Sequence, residues 1–339
     1  MTIPEAVSAV VEGRDLSREE AAEVMRHLMQ GEGTPAQIGA LLVGLRMKGE
    51  TVEEITGLAM TMREMSTKVK TKRSPLVDTC GTGGDTCGTF NISTTAAFVA
   101  AGAGVAVAKH GNRSAASECG SADVLEALGV NIDAPPELVG ECIDDIGIGF
   151  LFARSLHGAM KHVAQARTEL GLRTVFNLLG PLTNPAGACG QVVGVYDRVR
   201  IRDLAQVLAD TGTRHALVVT GSDGMDEITL SGPTHVAETT GGRVHVYDVS
   251  PETFGVAEAP SDTLRGGDAA ENAEILKAVL DGEEGPRRDV VLINAAAAIL
   301  VGDAAPDWTA AMGKARQSID SGGARAKLDG LVLRSKAEG

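Results

Sequence analysis

Three short segments between residues 78 and 114 are rich in backbone donors and small polar groups, a composition typical of loops that bind phosphate. They are residues 78–85 (Asp-Thr-Cys-Gly-Thr-Gly-Gly-Asp), 91–94 (Asn-Ile-Ser-Thr) and 109–114 (Lys-His-Gly-Asn-Arg-Ser). Each segment stands where an apolar run ends or a helix begins, so unpaired backbone N–H groups are available to an anion. This arrangement predicts a phosphorylated or pyrophosphorylated substrate.

The glycine-rich segment 81–85 matches neither of the two common nucleotide-binding fingerprints. No Gly-Lys-Ser/Thr follows it, which excludes a Walker A loop, and Thr86 occupies the third glycine position of the dinucleotide-binding pattern. Successive glycines can still direct several N–H groups into one concavity that holds anionic oxygens. A tight structural turn is the alternative, and this segment alone does not decide between the two.

The other two segments add donors for the same anion. Residues 91–94 open a predicted helix, whose N-terminal N–H groups and dipole favour an anion; ordinary N-capping is the alternative. The hydroxyl of Ser93 can also bind Mg²⁺. Residues 109–114 follow a predicted strand and supply a lysine and an arginine. His110 can serve as a base, a donor or a packed loop residue, and we favour packing or positioning.

Two further groups of charged residues could bind a metal ion or a substrate. Asp226 and Glu227 follow an apolar segment, and adjacent carboxylates suit Mg²⁺; a solvated acidic turn is the alternative. Arg167 lies in a predicted helix at 159–170, where its guanidinium can hold a substrate carboxylate through two hydrogen bonds. An ion pair with Glu169 is the structural alternative.

Composition excludes several other classes of function. The chain has 339 residues, a net charge of -14 and 3% aromatic residues, which argues against binding to nucleic-acid backbones and against base-stacking surfaces. Its five cysteines are scattered without a CxxC pair, so we expect neither a zinc site nor a disulfide framework, and a cytoplasmic location. The N-terminus does not resemble a signal peptide, and the apolar run at 290–301 is too short to span a membrane.

Four helices are predicted in the first 66 residues, because four capping boxes precede apolar residues at helical spacing. The capping boxes begin at Thr2, Ser17, Thr34 and Thr51. The basic segment 67–74 is the predicted linker. We therefore expect a small N-terminal helical domain at 1–70 and a larger domain at 71–339.

From residue 76 onward, short apolar segments alternate with glycine turns and helical patterns. The alternation predicts an α/β domain with a mainly parallel central sheet flanked by helices. The predicted strands are 76–77, 105–108, 216–220 and 244–247, with 290–293 as a further candidate. Ligands bind such a sheet at the carboxyl ends of its strands, which is where the glycine-rich segments fall.

The ordered set of motifs resembles the anthranilate phosphoribosyltransferase family of tryptophan biosynthesis. The resemblance covers essentially the whole chain and is carried by residues 81–85, 91–94, 109–114, 120–123, 167–171, 176–185 and 226–227. It implies the nucleoside phosphorylase/phosphoribosyltransferase-like fold, a chain segment near 160–185 that returns to the helical domain, and a homodimer. The implied reaction joins anthranilate to 5-phosphoribosyl-1-pyrophosphate (PRPP) and releases pyrophosphate, with two Mg²⁺ ions in each active site.

The same resemblance implies the site residues. The expected contacts with PRPP are Gly81, Gly84, Asp85, Thr89, Asn91, Ile92, Ser93, Thr94, Lys109, His110, Gly111, Asn112, Arg113, Ser114, Ala115, Ala116, Ser117 and Ser121. The expected Mg²⁺ ligands are Ser93, Asp226 and Glu227. The expected anthranilate contacts are Gly81, Asn112 and Arg167. The side chains expected to act in catalysis are Lys109, His110, Asn112 and Arg167.

Two departures from the family pattern flank the expected anthranilate pocket. The family often has a proline where this chain has Arg154, and often a Val-x-Pro-Val-Arg run where it has residues 163–167, with Gln165 in place of the proline. A pyrimidine nucleoside phosphorylase is the nearest rival enzyme, and Asn112, Arg167 and the 226–227 pair argue against it. A nucleic-acid-binding relative without catalysis is the rival from another class, and the negative net charge argues against that.

Overall fold

The structure, a computed structural model, describes residues 1–114 and 118–337. The expected phosphate contacts of Ala115, Ala116 and Ser117 lie outside these described residues.

The N-terminal region forms the four predicted helices. They are α1 (Ile3–Val11), α2 (Arg18–Gln30), α3 (Pro35–Lys48) and α4 (Val52–Glu64). The capping residues are the predicted ones, Thr2, Ser17, Thr34 and Thr51, and each side chain accepts a hydrogen bond from the backbone N–H three residues later. Each such cap stabilises its helix by about 1 kcal/mol, which accounts for the accurate helix starts.

The remaining helices lie in the second part of the chain. They are α5 (Ile92–Gly102), α6 (Ser121–Ala127), α7 (Pro136–Ile146), α8 (Ala153–Leu156), α9 (Lys161–Leu170), α10 (Val175–Leu179), α11 (Ile201–Asp210), α12 (Ala269–Leu280), α13 (Pro286–Val301), α14 (Trp308–Asp320) and α15 (Gly323–Arg334). No helix in the described part of the chain is long and apolar enough to cross a membrane.

Seven strands form one sheet in the order β3-β2-β1-β4-β5-β6-β7. The strands are β1 (Leu76–Thr79), β2 (Ala106–Gly111), β3 (Ile148–Phe152), β4 (Gly190–Gly194), β5 (His215–Gly221), β6 (Thr234–Thr240) and β7 (Arg243–Val249). The first five are parallel to one another, whereas β6 and β7 pair antiparallel at one edge. The mainly parallel sheet confirms the predicted fold class.

Opposite faces of the sheet belong to two different hydrophobic cores. Val192 packs with α5 and α13 on one face, and its neighbour Val193 packs with the N-terminal helices on the other. This alternation follows from the two-residue period of a strand. Val163 of α9 and Phe176 of α10 belong to the same hydrophobic core as the buried side chains of α1–α4.

One predicted strand is wrong. Residues 290–293 lie inside α13, a helix buried along almost its whole length, where Ala295–Ala298 continue the apolar run. A short apolar run that is buried on all sides has no period that distinguishes a strand from a helix.

Strand order creates a crevice between β1 and β4. From β1 the chain moves outward through β2 to β3, and it then returns to place β4 on the other side of β1. In parallel sheets, the connections on either side of such a reversal leave a space at the carboxyl ends of the strands. The glycine-rich segment 80–85 follows β1 and therefore lies at this crevice.

Candidate active site

The glycine-rich loop after β1 is held by backbone contacts on its β4 side. Cys80 N–H donates to the Val192 carbonyl at 3.0 Å, and Thr82 N–H donates to the Gly194 carbonyl at 2.8 Å. Gly83 and Gly84 then take φ values of 65° and 89°, a left-handed conformation that favours glycine. The turn directs the Gly83 N–H to the carboxylate of Asp226, at 2.9 Å.

Helix α5 begins beside this loop. Its N-cap residue Asn91 makes no capping hydrogen bond; the Asn91 amide instead donates to the Cys119 carbonyl at 3.2 Å and accepts from Asn272 at 3.0 Å. The Ser93 N–H in the first turn donates to the carboxylate of Glu227, at 3.1 Å. Asn91 therefore does not cap the helix with its side chain, and the N-terminus of α5 faces the carboxylate of Glu227.

The acidic pair is partly buried, so it is not the solvated turn considered as its alternative. Burial and the nearby charge of Asp85 raise the pKa of Asp226 to about 7. Burial and the charge of Asp226 raise the pKa of Glu227 to about 8. Three carboxylates thus repel one another at the mouth of the glycine loop, and a cation would relieve that repulsion.

The donor set suits Mg²⁺ shared with a substrate. Within residues 1–114 and 118–337, no group of three or more His, Cys, Asp or Glu side chains is arranged to hold a metal ion by itself. Mg²⁺ is commonly bound by one or two carboxylates with substrate phosphates and waters completing its octahedral shell. The carboxylates of Asp226 and Glu227 and the hydroxyl of Ser93 are oxygen donors of this kind. A small cavity beside them is lined by Thr79, Cys80, Gly81, Ser93, Ala96, Val192, Gly194, Glu227 and Asn294.

Lys109 and His110 lie at the carboxyl end of β2, and both are buried. The Lys109 ammonium donates to the carbonyl of Thr79, at the base of the glycine loop. The His110 ring lies 5.2 Å from the His157 ring, and its two nitrogens have no hydrogen bond of ordinary geometry among the described residues. Burial lowers the pKa of His110 to about 3, so its imidazole is neutral, in keeping with the packing or positioning role that we favour.

A buried polar contact that the sequence did not indicate fixes the end of β2. The Asp78 carboxylate accepts the His110 backbone N–H at 2.9 Å and the Asn184 amide at 2.8 Å. The same amide also donates to the Ala108 carbonyl at 2.8 Å. Burial raises the pKa of Asp78 to about 6. These contacts join β1, β2 and the loop at 180–187, so the position of Lys109 depends on all three.

The residues after β2 are held mainly by α6. The Arg113 guanidinium forms ion pairs with Asp123 and Glu126, each at 2.8 Å, so this charge is already partnered. The Ser121 hydroxyl donates to the Asn112 carbonyl at 3.3 Å, and Gly120 occupies the N-cap position of α6. Asn112 is exposed, and Gly111 ends β2. Among the remaining expected contacts, Ile92 and Thr94 are buried in α5, and Thr89 pairs with Arg265 in an isolated bridge.

Arg167 lies on α9 without an acidic partner among the described residues. Glu169, its expected alternative partner, accepts a hydrogen bond from Gln165 at 2.8 Å instead. The Arg167 guanidinium stacks over the Phe176 ring, with its central carbon 5.2 Å from the ring centroid. Burial lowers the pKa of Arg167. A half-buried cation of this kind suits a planar carboxylate ligand.

Comparison with known proteins agrees with this geometry. A family model described as "Glycosyl transferase family, a/b domain" matches residues 73–325, and one described as "Glycosyl transferase family, helical bundle domain" matches residues 4–66. These matches cover most of the chain and define it as a glycosyltransferase of the class with a helical bundle and an α/β domain.

The relatives identify the family within that class. The anthranilate phosphoribosyltransferase of Symbiobacterium thermophilum is 58% identical over 320 residues, which is 94% of each chain. The crystal structure of the Thermus thermophilus enzyme of that name matches with a TM-score of 0.93 and 47% identity, covering 98% of this chain and 99% of that one. The Saccharomyces cerevisiae enzyme in complex with PRPP and Mg matches with a TM-score of 0.87 and 27% identity, covering 98% and 97%. The chain belongs to the anthranilate phosphoribosyltransferase family, which confirms the resemblance drawn from its motifs.

Proposed function

We propose that this chain transfers the 5-phosphoribosyl group of PRPP to the amine of anthranilate. The products are N-(5-phosphoribosyl)anthranilate and pyrophosphate, an early step of L-tryptophan biosynthesis. One observation carries the proposal: the glycine loop and the start of α5 meet the acidic pair at the crevice, through Gly83 to Asp226 at 2.9 Å and Ser93 to Glu227 at 3.1 Å. The yeast enzyme of the same fold is described in complex with PRPP and Mg and with 4-fluoroanthranilate.

The phosphate groups of PRPP are assigned to the loops at the ends of β1 and β2 and to the N-terminus of α5. Backbone N–H groups of 81–85 and 91–94 and the ammonium of Lys109 would face negative charge there. The remaining contacts are the residues 109–117 and Ser121 that the resemblance assigns. Because the Arg113 guanidinium is engaged with α6, we expect Arg113 to serve PRPP through its backbone and by holding the loop.

Two Mg²⁺ ions are assigned to Ser93, Asp226 and Glu227. When bound, they neutralise charge on the pyrophosphate and so make it a better leaving group. The raised pKa values of both carboxyl groups support the assignment, because the charge of Lys109 offsets only part of the repulsion that Asp85 and Asp226 exert on Glu227.

The chemical step needs little acid–base help from the protein. The arylamine of anthranilate is neutral at pH 7, and the difficult event is cleavage of the bond between C1 of the ribose and the pyrophosphate oxygen. Positive charge then develops on the ribose and negative charge on the leaving group. Lys109 and the loop N–H groups are fixed donors for that negative charge, the kind of preorganised stabilisation that contributes most to enzymatic rates.

Anthranilate is assigned to the space beside Arg167, with Gly81 and Asn112 as further contacts. A bidentate bond from the guanidinium to the carboxylate would orient the neighbouring amine. Because α9 packs against α2 and α3, Arg167 would move with the helical domain if that domain closes. Closure of that domain would bring the amine close to C1 and exclude water.

Our proposals for assembly and location rest on the resemblance to the family, not on contacts of this chain. We infer a homodimer in the cytoplasm that acts on small molecules only. The net charge of -14 supports the absence of nucleic-acid binding.

The assignment of the acidic pair is tested with the double substitution Asp226→Ala and Glu227→Ala. The rate of anthranilate fluorescence loss should fall steeply at limiting Mg²⁺ and recover in part at high Mg²⁺. Glu258→Ala, which removes an exposed carboxylate elsewhere, is the matched control and should behave like the unsubstituted chain. A double variant with the full rate at limiting Mg²⁺ would show that the metal site lies elsewhere.

A further inference from the structure

Arg173, in the loop between α9 and α10, contacts the glycine loop. No motif in the surrounding sequence predicted a role for this residue. Its guanidinium donates a hydrogen bond from Nη2 to the carbonyl of Gly84. The same guanidinium lies over Tyr196, just after β4, with its central carbon 4.1 Å from the ring centroid. A planar cation can stack and donate at the same time, which an ammonium cannot do as well.

The backbone of Arg173 is held from the opposite side, by the helical domain. Nη1 of Arg46, near the end of α3, donates to the Arg173 carbonyl at 2.5 Å. Arg173 therefore contacts the glycine loop through its side chain and the helical domain through its main chain. The two contacts are independent, so either can be removed by mutation while the other stays.

The absence of a side chain at Gly84 lets the Arg173 guanidinium approach the glycine loop closely. A Cβ on Gly84 would lie 2.5 Å from the central guanidinium carbon of Arg173 and 2.9 Å from Nη1. Gly84 also has a φ of 89°, a left-handed backbone conformation that residues other than glycine rarely adopt. In the same turn, the Gly83 N–H is bound to Asp226. The turn at 83–84 is thus clamped between an acidic residue and a basic one.

We propose that Arg173 is a positioning residue that holds the glycine loop in its binding conformation and couples that loop to closure of the helical domain. The inference rests on the proposed function, because it is through the loop that Arg173 acts on PRPP. Arg173 itself need not touch the substrate. The hydrogen bond from its guanidinium to the Gly84 carbonyl keeps the neighbouring backbone N–H groups of the glycine loop directed to one side. Its own carbonyl, bound by Arg46, transmits any movement of α3 to that loop.

The first test compares Arg173→Ala with Arg173→Lys. We expect Arg173→Ala to raise the KM for PRPP by about tenfold or more, with a much smaller change in the KM for anthranilate. Arg173→Lys should recover part of the loss, because an ammonium can donate to Gly84 but stacks poorly on Tyr196. Melting temperature and circular dichroism establish that each variant is folded, and Tyr196→Leu removes the stacking surface if Arg173→Ala fails to fold.

The second test measures the loop without substrate. Hydrogen–deuterium exchange of amides 82–85 in the ligand-free chain should be faster in Arg173→Ala and intermediate in Arg173→Lys. Arg46→Ala should also raise the KM for PRPP, and the double variant should lose less than the product of the two single effects. A simple product of the two effects would overturn the coupling to α3.

Two outcomes would overturn the positioning role itself. Unchanged exchange and unchanged KM in Arg173→Ala would show that the clamp does not control the loop. A raised KM with unchanged exchange would show that Arg173 binds the pyrophosphate directly. The proposed function fails separately if the unsubstituted chain consumes no anthranilate with PRPP and Mg²⁺. In that case the exchange measurement on the ligand-free chain still shows whether Arg173 holds the turn at 83–84.

Discussion

Replacement of Arg167 by alanine removes the one charge assigned to the anthranilate carboxylate. The guanidinium has no acidic partner among the described residues, and burial already lowers its pKa, so part of its desolvation is complete before a ligand arrives. A desolvated, bidentate ion pair that loses one partner costs about 2–4 kcal/mol. We therefore expect kcat/KM for anthranilate to fall by about 30- to 1,000-fold.

The assay uses two acceptors to separate the carboxylate contact from general damage. Anthranilate and aniline differ by the carboxylate alone, so the unsubstituted chain should prefer anthranilate strongly. Arg167→Ala should lose most of that preference, and its activity with aniline should change little. Arg167→Lys should keep part of the preference, because it retains the charge without the planar fork.

Arg154→Ala is the matched control, since it removes an exposed arginine beside the expected pocket. It should leave the preference for anthranilate over aniline intact. If Arg167→Ala kept the full preference, or lost equal activity with both acceptors, the carboxylate would not be bound by Arg167.

Three further predictions concern residues that pack against or hold the residues of the site. Gly194→Ala would place a Cβ on the Asp226 backbone carbonyl, so the Mg²⁺ concentration for half-maximal rate should rise about tenfold; an unchanged titration in a folded variant would refute this. Burial lowers the pKa of His157 to about 4 from an unfolded value of 6.5, so its contribution to folding is present above pH 6.5 and is lost as the pH falls toward 4. Between pH 7 and pH 5 the unsubstituted chain should therefore lose about 2 kcal/mol of unfolding free energy relative to His157→Asn, as measured by urea unfolding. A difference between the two chains that does not depend on pH would contradict this. Asn184→Ala leaves the buried Asp78 carboxylate short of a donor, which should cost about 2 kcal/mol and lower the melting temperature by a few degrees; an unchanged melting temperature would exclude that role.

The parts of the fold that the sequence predicted well are those specified locally. A capping box needs only residues three apart, and all four predicted boxes start a helix. Strands β3, β4 and β6 were not predicted. β3 and β4 are each a short segment buried on both faces with no polar alternation. The same ambiguity produced the wrong strand at 290–293.

The chemical character of the site was visible in the sequence, but its connections were not. Glycine loops at strand ends predicted anion binding, and strand order then brings those ends together at one edge. The contacts of Asp78 with Asn184 and of Gly84 with Arg173 join residues far apart in the chain, so no spacing rule indicates them. Arg113 shows the reverse case, because its place in a polar loop suggested a phosphate ligand while its ion pairs with α6 arise only in the folded chain.

The most direct test of the proposed reaction is its stoichiometry. Purified protein is mixed with PRPP, Mg²⁺ and anthranilate, and the anthranilate consumed and the pyrophosphate released are measured in the same sample. We expect one pyrophosphate for each anthranilate, with neither change when PRPP or Mg²⁺ is omitted. Pyrophosphate release without anthranilate loss, or no reaction in a folded protein that binds PRPP, would contradict the assignment of anthranilate as the acceptor.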